Sequence, residues 1–186
     1  MKILLVVDVQ KDFIDGTLGS EAAQKTLPAI QKYVEDFRET LISNKAIIFT
    51  QDCHSMADNT VEMQQVPSHC VHNTIGSAIM IPIAADENIF VKHDFMMDMY
   101  DAATIKSIID NHHTDNTIDE IEIIGYCTDI CVISNALLLR KICPKIQITI
   151  LEDLCVGTST EAHQAALTVA KSCLINVRKS NEYKFV

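Results

Sequence analysis

Six short apolar runs, rich in Ile and Val, recur along the sequence with helix-like segments between them. The runs cover residues 3–7, 46–50, 89–91, 121–124, 146–151 and 173–177. Most of them do not alternate apolar with polar side chains, which is typical of strands buried on both faces. Strands that alternate with helices form a parallel sheet with helices packed on both sides. We therefore predict a three-layer α/β/α fold built on a mainly parallel sheet of about six strands.

Helix signals separate these runs. Apolar residues recur at helical spacing over 27–41, with Thr26 placed to cap the helix. Thr158 and Glu161 have the spacing of a capping box ahead of a further helical pattern. With 186 residues and no long linker or repeat, the chain is expected to form one domain over residues 1–186.

Two stretches interrupt the alternation. Residues 52–85 form a long polar segment with three histidines, and long loops in compact domains usually carry function. The sequence HDFMMDMY at residues 93–100 is rich in methionine, and we expect these methionines to fill the core rather than to line a flexible wall. Among the other histidines, we expect His112 and His113 to lie in a solvated loop and His163 to be structural or at the surface.

The composition disfavours several classes of partner. The formal net charge of −10 disfavours nucleic acids and anionic lipids, because both require a basic surface. No apolar stretch approaches the length of a membrane span. The first apolar run meets Asp8 too early for a signal peptide, and the seven cysteines include no CxxC pair. We therefore expect a cytoplasmic protein with reduced thiols, without nucleic-acid or membrane partners.

Reactive side chains follow four of the predicted strands. Ligand sites in open α/β sheets lie beyond the carboxyl ends of the strands. The residues at those ends are Asp8 after the first strand, Asp52 and His54 after the second, Lys92 after the third, and Cys127 and Cys131 after the fourth. We therefore expect a carboxylate, a lysine and a thiol to meet at one edge of the sheet, with an Asp-x-His pair beside them.

The two cysteines differ as candidate nucleophiles. A thiol with the ordinary pKa of about 8.5 is mostly protonated at neutral pH, whereas the nucleophile must be the thiolate. If Thr128 or Asp129 caps the following helix, Cys131 lies in its first turn, where free N–H groups and the helix dipole favour a negative charge. A nearby Lys92 would lower the thiol pKa further. Because Cys127 lies at the strand tip and gains less from the dipole, Cys131 is the better candidate.

Each of these side chains also has an ordinary structural explanation. Asp8 can accept the thiol proton, or it can be a turn or N-cap residue. A cysteine at a strand-to-helix junction is often a small buried hydrophobic residue. A lysine that ends a strand usually faces solvent, and the spacing of Asp52 and His54 is common by chance. The coincidence of all four signals at strand ends is what favours a functional site.

Five motifs, spread in order over nearly the whole chain, carry a family resemblance. They are DVQKDF at 8–13, similar to D-x-Q-x-D-F; TQDCH at 50–54, similar to T-x-D-W-H; VPSHC at 66–70, similar to W-P-x-H-C; Lys92; and GYCTDICV at 125–132, similar to G-x-x-T-D-x-C-V. On these motifs the sequence resembles the nicotinamidase (pyrazinamidase) branch of the isochorismatase-like cysteine hydrolases.

The resemblance implies a catalytic triad and a metal site. The implied triad is Asp8, Lys92 and Cys131. The implied ligands of a divalent metal ion are Asp52, His54 and His69. Zn²⁺ suits such a set best, with Mn²⁺ or Fe²⁺ as alternatives, and Glu62 is a candidate for a further ligand. His72 competes with His69 by position, but the Pro-x-His-Cys context favours His69.

The resemblance also implies a reaction. Cys131 would attack the carboxamide of nicotinamide, and hydrolysis of the resulting thioester would give nicotinate and ammonia. A non-proline cis peptide is expected at Tyr126–Cys127, with the backbone N–H groups of Cys127 and Cys131 as the oxyanion hole. Phe13 and Leu18 are expected to contact this small-molecule amide substrate.

Two departures from the family pattern leave alternatives open. Cys53 and Val66 stand where the pattern has tryptophan, so an aromatic wall of the substrate pocket is missing. One alternative is a related hydrolase that acts on another small carboxamide or ureide. A second alternative is a non-catalytic relative that binds a metal or a ligand. Members of the family are often oligomeric, and on that ground alone we expect a homo-oligomer.

Overall fold

The predicted strands form one parallel sheet. The computed structural model describes residues 1–42, 44–111 and 120–182, and the loop predicted at His112 and His113 lies outside them. The strands are β1 (Lys2–Val7), β2 (Lys45–Asp52), β3 (Asn88–Lys92), β4 (Glu120–Tyr126), β5 (Gln147–Val156) and β6 (Asn176–Arg178). Their order is β3-β2-β1-β4-β5-β6, and every neighbouring pair is parallel. The predicted α/β fold on a six-stranded parallel sheet is confirmed.

Helices cover both faces of the sheet. Within the described residues the α-helices are α1 (Lys11–Ile14), α2 (Glu21–Glu39), α3 (Val61–Gln65), α4 (Met99–Asn111), α5 (Ile133–Ile142) and α6 (Thr160–Ser172). A π-helical turn (Thr128–Val132) leads into α5. In β1, Leu4 packs into a core with Phe37 of α2, whereas Leu5 packs into the opposite core with Leu139 of α5. None of these helices combines the length and the apolar character that a membrane crossing requires.

Two predicted helix starts are wrong. Helix α2 begins at Glu21, because Ser20 is its N-cap and the serine hydroxyl accepts a backbone N–H of the first turn. Thr26 therefore lies inside the helix. Helix α6 is capped by Ser159 rather than by Thr158. In both cases a serine with an extended backbone supplies the cap, so the helix starts where the backbone turns and not where the apolar pattern begins.

The order of the strands places a crevice beside β1. The chain passes from β1 to β2 and β3 on one side and returns to β4 and β5 on the other side. In open α/β sheets, such a reversal of strand order leaves a crevice at the carboxyl ends of the strands, where ligands bind. The predicted functional residues at the ends of β1, β2, β3 and β4 therefore lie around one crevice.

Candidate active site and metal centre

Asp8, Lys92 and Cys131 meet at the carboxyl edge of the sheet. Asp8 follows β1, Lys92 ends β3, and Cys131 lies in the π-helical turn after β4. The Lys92 ammonium nitrogen lies 2.9 Å from Asp8 Oδ2 and 3.6 Å from Cys131 Sγ. All three side chains are buried, so Lys92 is not a solvent-facing strand end. The structure thus groups the three residues of the predicted triad around the lysine.

The backbone of Asp8 has an unusual conformation. Its φ of 47° lies in the left-handed region, which residues other than glycine seldom adopt and which is often found at functional sites. The hydroxyl of Thr50 on β2 donates to Asp8 Oδ1 at 2.6 Å and accepts from the Asp8 N–H at 3.2 Å. The N-cap of α1 is Gln10, and the Asp8 carboxylate faces Lys92. The alternative that Asp8 caps a helix is therefore wrong.

Burial controls the protonation of these three groups. Burial raises the pKa of Asp8, and the nearby Lys92 offsets this only in part. Burial acts to lower the pKa of Lys92, but its anionic neighbours, Asp8 first, raise that pKa well above its ordinary value. Burial and the charge of Asp8 raise the pKa of the Cys131 thiol well above its usual range, although Lys92 acts in the opposite direction. The prediction of a lowered Cys131 pKa is therefore wrong, and the resting form is a neutral thiol beside a carboxylate that can take its proton.

Cys127 begins the turn that carries Cys131. Cys127 is the N-cap of the π-helical turn, and its carbonyl accepts two N–H groups of the turn at 3.1 and 3.0 Å. The peptide bond Tyr126–Cys127 is cis, as the resemblance implies. The first N–H groups of a helix have no partner within the helix, so this turn can present backbone donors near Cys131. The use of the Cys127 and Cys131 N–H groups as an oxyanion hole stays a prediction.

Neither Thr128 nor Asp129 caps this turn, and both contact the region of α6 instead. The Thr128 hydroxyl oxygen lies 2.8 Å from Nδ1 of His163. The Asp129 carboxylate accepts the backbone N–H and the hydroxyl of Thr158. His163 is half-buried and takes a structural part, in agreement with the sequence prediction. These contacts tie the turn of Cys131 to the start of α6.

Four metal-ligating side chains form a cluster next to the triad. Asp52 ends β2, His54 follows it, Glu62 lies in α3 and His69 lies in the loop beyond. Nε2 of His54 and Nε2 of His69 lie 3.0 and 3.3 Å from Asp52 Oδ2. The same two nitrogens lie 3.8 and 3.6 Å from Glu62 Oε1. Ligands at about 2.1 Å from one ion stand roughly 3.0–3.4 Å apart. This group can therefore hold a divalent metal ion after small adjustments.

The surroundings of the cluster also suit a metal ion. Nδ1 of His69 lies 2.9 Å from the carbonyl oxygen of Pro67, a contact that leaves Nε2 free as a ligand. Nδ1 of His54 is buried and has no hydrogen-bond partner among the described residues. Although burial acts to raise it, the contacts with His54 and His69 hold the pKa of the Asp52 carboxyl well below its usual range. Asp52 is therefore an anionic ligand at neutral pH.

Two residues that the sequence analysis did not single out support these ligands. Gln10 is fully buried, and its amide donates to the carbonyl of Asp52 and accepts from the Asp52 N–H, both at 2.8 Å. Asp12 Oδ2 accepts the N–H of Cys70, the residue after His69, at 2.8 Å. Both belong to the motif at residues 8–13. Their polar side chains at fixed positions of that motif are the sequence feature that could have identified them.

A cavity of about 370 Å³ opens onto both groups. Its apolar walls are formed by Phe13, Leu18, Val66, Phe95, Ile130 and Val156. Cys131, His69 and Glu62 also line it, so the predicted nucleophile and two of the metal-ligating residues face one space. The predicted substrate contacts, Phe13 and Leu18, both lie in its walls, and the Phe13 ring packs edge-on against His69 with centroids 5.5 Å apart.

A second cavity, of about 570 Å³, is lined by Cys53, His72 and His93 among others and by none of the triad residues. Nδ1 of His72 lies 3.5 Å from Cys53 Sγ, and His72 is not a member of the four-residue cluster. The structure thus favours His69 over His72 as the metal-ligating residue.

Comparison with known proteins identifies the class of protein to which this fold and site belong. A sequence profile described as Isochorismatase domain matches residues 2–182. The chain therefore belongs to the isochorismatase-like hydrolase family. A search of curated proteins finds no significant match.

Solved structures show the same fold. The pyrazinamidase of Pyrococcus horikoshii in complex with zinc has a TM-score of 0.79 at 24% identity, covering 96% of this chain and 98% of that one. The nicotinamidase PncA of Bacillus subtilis has a TM-score of 0.76 at 23% identity, covering 96% and 99%. The N-carbamoylsarcosine amidase of Thermoplasma acidophilum has a TM-score of 0.75 at 22% identity, covering 98% of both chains. At such identities these likenesses establish the fold.

Proposed function

We propose that this protein is a metal-dependent cysteine amidohydrolase that converts nicotinamide to nicotinate and ammonia. The observation that carries the proposal is the shared cavity, where Cys131 and the metal-ligating His69 and Glu62 face one small space with apolar walls. Lys92 joins the two groups, since its ammonium contacts both Asp8 and Asp52. A nucleophile and a metal centre this close can act on two ends of one small molecule.

The chain's own residues supply the chemistry of amide hydrolysis. The Cys131 sulfur attacks the carboxamide carbon while Asp8 takes the thiol proton. Lys92 remains protonated and holds the Asp8 carboxylate in place. The backbone N–H groups of Cys127 and Cys131 stabilise the oxyanion. Asp8 then gives its proton to the departing ammonia and afterwards activates the water that hydrolyses the thioester.

The metal centre would orient the substrate. A divalent ion held by Asp52, His54, His69 and Glu62, Zn²⁺ for preference, would supply a Lewis acid that takes up the pyridine nitrogen. The two histidines present the same ring nitrogen, Nε2, toward Asp52. This chain's part is to hold these ligand atoms at the edge of the substrate cavity.

The cavity favours a neutral aromatic amide over a charged ureide. Among the described residues that line it there is no lysine or arginine. Away from the metal centre, a free carboxylate would lose its hydration there without gaining a cationic side chain as a partner. A pyridine ring instead matches the apolar walls.

A second candidate function is hydrolysis of another small neutral carboxamide or ureide. The observation that favours it is Val66, which lines the cavity at a position where the family pattern has tryptophan. The non-catalytic alternative is less well supported. Burying Asp8, Lys92 and Asp52 costs folding free energy, and a protein that only binds a ligand has no need of that arrangement.

Ammonia release from nicotinamide tests the proposal. Purified, reduced, zinc-loaded protein should release ammonia, Cys131→Ala should abolish the release, and a chelated sample should lose most of it. Activity that survives Cys131→Ala would contradict the thioester route. An inactive wild-type protein would contradict the substrate assignment and direct the search to other small amides and ureides.

We further propose a cytoplasmic, homo-oligomeric protein without nucleic-acid or membrane partners. All seven cysteines are free, which supports a reducing compartment. The net charge of −10 opposes polyanionic partners. Analytical ultracentrifugation of purified protein tests the oligomeric state.

A further inference from the structure

Phe95 is an aromatic side chain that is left partly open to the substrate cavity. It lines the cavity together with Phe13 but is 41% exposed, whereas Phe13 is 6% exposed. Among the phenylalanines that the structure describes, Phe95 is the most exposed. A large apolar side chain at the rim of a cavity retains surface that a ligand can cover.

The backbone around Phe95 is held by residues of the active site. The Lys92 ammonium donates to the carbonyl of Asp94 at 2.8 Å, one residue before Phe95. The N–H of Met97, two residues after Phe95, donates to the Asn135 side-chain oxygen at 2.8 Å. Phe95 is thus placed between two fixed points and is not on a free loop.

Asn135 connects this segment to the nucleophile. Its side-chain nitrogen donates to the carbonyl of Cys131 at 2.8 Å, while its oxygen accepts from Met97. Asn135 is fully buried and Met97 is 1% exposed, so both ends of this link lie in the protein interior. Two hydrogen bonds through Asn135 therefore link Cys131 to Met97, two residues after Phe95.

The two positions where the family pattern has tryptophan do not supply an aromatic ring here. Val66 lines the cavity with an aliphatic side chain, and Cys53 lines the second cavity, beside His72. Phe13 and Phe95 are the phenylalanines among the lining residues described. Tyr126 also lines the cavity but is only 1% exposed, so most of the aromatic surface left open there comes from Phe95.

We propose that Phe95 is a specificity-determining residue whose ring forms, with Phe13, the aromatic walls that select planar aromatic amides over aliphatic ones. The inference rests on the proposed function only in taking this cavity as the amide site. It assigns the preference for a flat ring to Phe95, independently of any contact with a pyridine nitrogen. Ring contacts of this kind favour aromatic partners beyond the apolar area that they bury.

Binding of two amides to non-hydrolysing protein tests this assignment. Benzamide has the planar ring without the pyridine nitrogen, and isobutyramide is aliphatic. Their dissociation constants would be measured by ligand-observed NMR on zinc-loaded Cys131→Ala protein, alone and combined with Phe95→Ala, Phe95→Leu or Met96→Ala. Met96 is the matched control, since it is also 41% exposed and adjacent to Phe95 but does not line the cavity.

Phe95→Ala should weaken benzamide binding about tenfold and change isobutyramide binding by less than about twofold. Phe95→Leu should show the same selective loss, because it keeps apolar volume and removes the ring face. Met96→Ala should leave both constants unchanged. Equal weakening of both amides, or unchanged benzamide binding in Phe95→Ala, would overturn the assignment. Failure of the proposed function is a separate result, namely no ammonia from nicotinamide with the benzamide preference intact.

Discussion

Lys92 connects the predicted catalytic group to the predicted metal centre: its ammonium lies 3.1 Å from Asp52 Oδ1, while Asp52 Oδ2 faces the two histidines. The same ammonium lies 2.9 Å from Asp8 Oδ2. One buried cation therefore contacts two buried carboxylates. The protonation of the nucleophile site and the geometry of the metal site depend on the same side chain.

Replacing this lysine should destabilise the protein as well as inactivate it. Lys92→Met leaves Asp8 and Asp52 buried without their shared cation, and breaking a buried ion pair in this way costs about 3–5 kcal/mol. The free energy of unfolding, measured in urea at pH 7 without added metal, should fall by that amount. Lys106→Met is the control, because Lys106 pairs with Asp110 on the surface and should not alter the unfolding free energy measurably. Equal stabilities for the two variants would contradict this role of Lys92.

Asp8→Asn should separate thiol reactivity from turnover. Asp8 raises the pKa of Cys131, so removing its negative charge makes the thiolate easier to form and lowers the thiol pKa. Alkylation of Cys131 by iodoacetamide, followed by peptide mass spectrometry, should therefore accelerate at a given pH. Its pH profile should move to lower pH than in the wild type.

Amide hydrolysis by Asp8→Asn should instead fall by at least about a hundredfold, because the general base is gone. Asp15→Asn, at an exposed position after α1, should change neither quantity. Slower alkylation of Cys131 in Asp8→Asn, with a pH profile that does not move to lower pH, would contradict the effect of the Asp8 charge on the thiol pKa.

His163 should make stability depend on pH. Burial lowers the pKa of His163 below its ordinary value of 6.5. Between the lowered folded-state pKa and the unfolded-state pKa, the unfolded chain binds more protons, so this residue reduces stability as the pH falls through about 6.5. His163→Gln removes that titration, and its urea-unfolding free energy should fall less than that of the wild type between pH 7.5 and pH 5.

Thr128→Val is the matched control for this effect. It removes the hydroxyl that contacts His163 but keeps the titrating ring. Thr128→Val should lower the free energy of unfolding at both pH 7.5 and pH 5. The decrease between these two pH values should remain as large as in the wild type. An identical pH dependence for wild type and His163→Gln would contradict the argument.

The placement of the candidate site could be predicted from the sequence because strand ends in a parallel sheet share one edge. Apolar runs located the ends of four strands, and Asp8, Asp52, Lys92 and Cys131 follow from them directly. The family resemblance added His69, through the motif at 66–70, and Glu62 as a candidate further ligand; both lie in the segment after β2, where periodicity gives no information. The structure places both in the cluster.

Properties that depend on burial could not be predicted. The direction of the Cys131 pKa shift was wrong because the sequence does not show how far the thiol lies from solvent. The prediction that the methionines of residues 93–100 fill the core holds for Met97, whereas Met96 and Met99 are exposed. In a short segment without periodicity, tertiary packing decides which side chains point into the core, and the sequence pattern does not show it. For the same reason the place of Phe95 in the cavity was not predicted.

Gln10 should control metal affinity without touching the metal. Its amide holds both backbone groups of Asp52 and donates to the carbonyl of Ser77 at 2.9 Å. Outer contacts of this kind typically change metal affinity about 10- to 100-fold. Gln10→Ala should therefore weaken zinc binding by that factor in competition with a chromophoric chelator.

Gln51 provides a matched control for Gln10. Its amide also donates to the carbonyl of Ser77 at 2.9 Å, but no hydrogen bond in the described structure joins its side chain to Asp52. Gln51→Ala should therefore keep nearly the wild-type zinc affinity while losing a comparable hydrogen bond. Of these two glutamines, Gln10 alone bonds to the backbone of a metal-ligating residue. The difference in zinc affinity between the two variants therefore measures the contribution of the Gln10 hydrogen bonds to Asp52. Equal losses of zinc affinity in both variants would mean that the hydrogen bond to Ser77, and not the hydrogen bonds to the Asp52 backbone, supports the metal site.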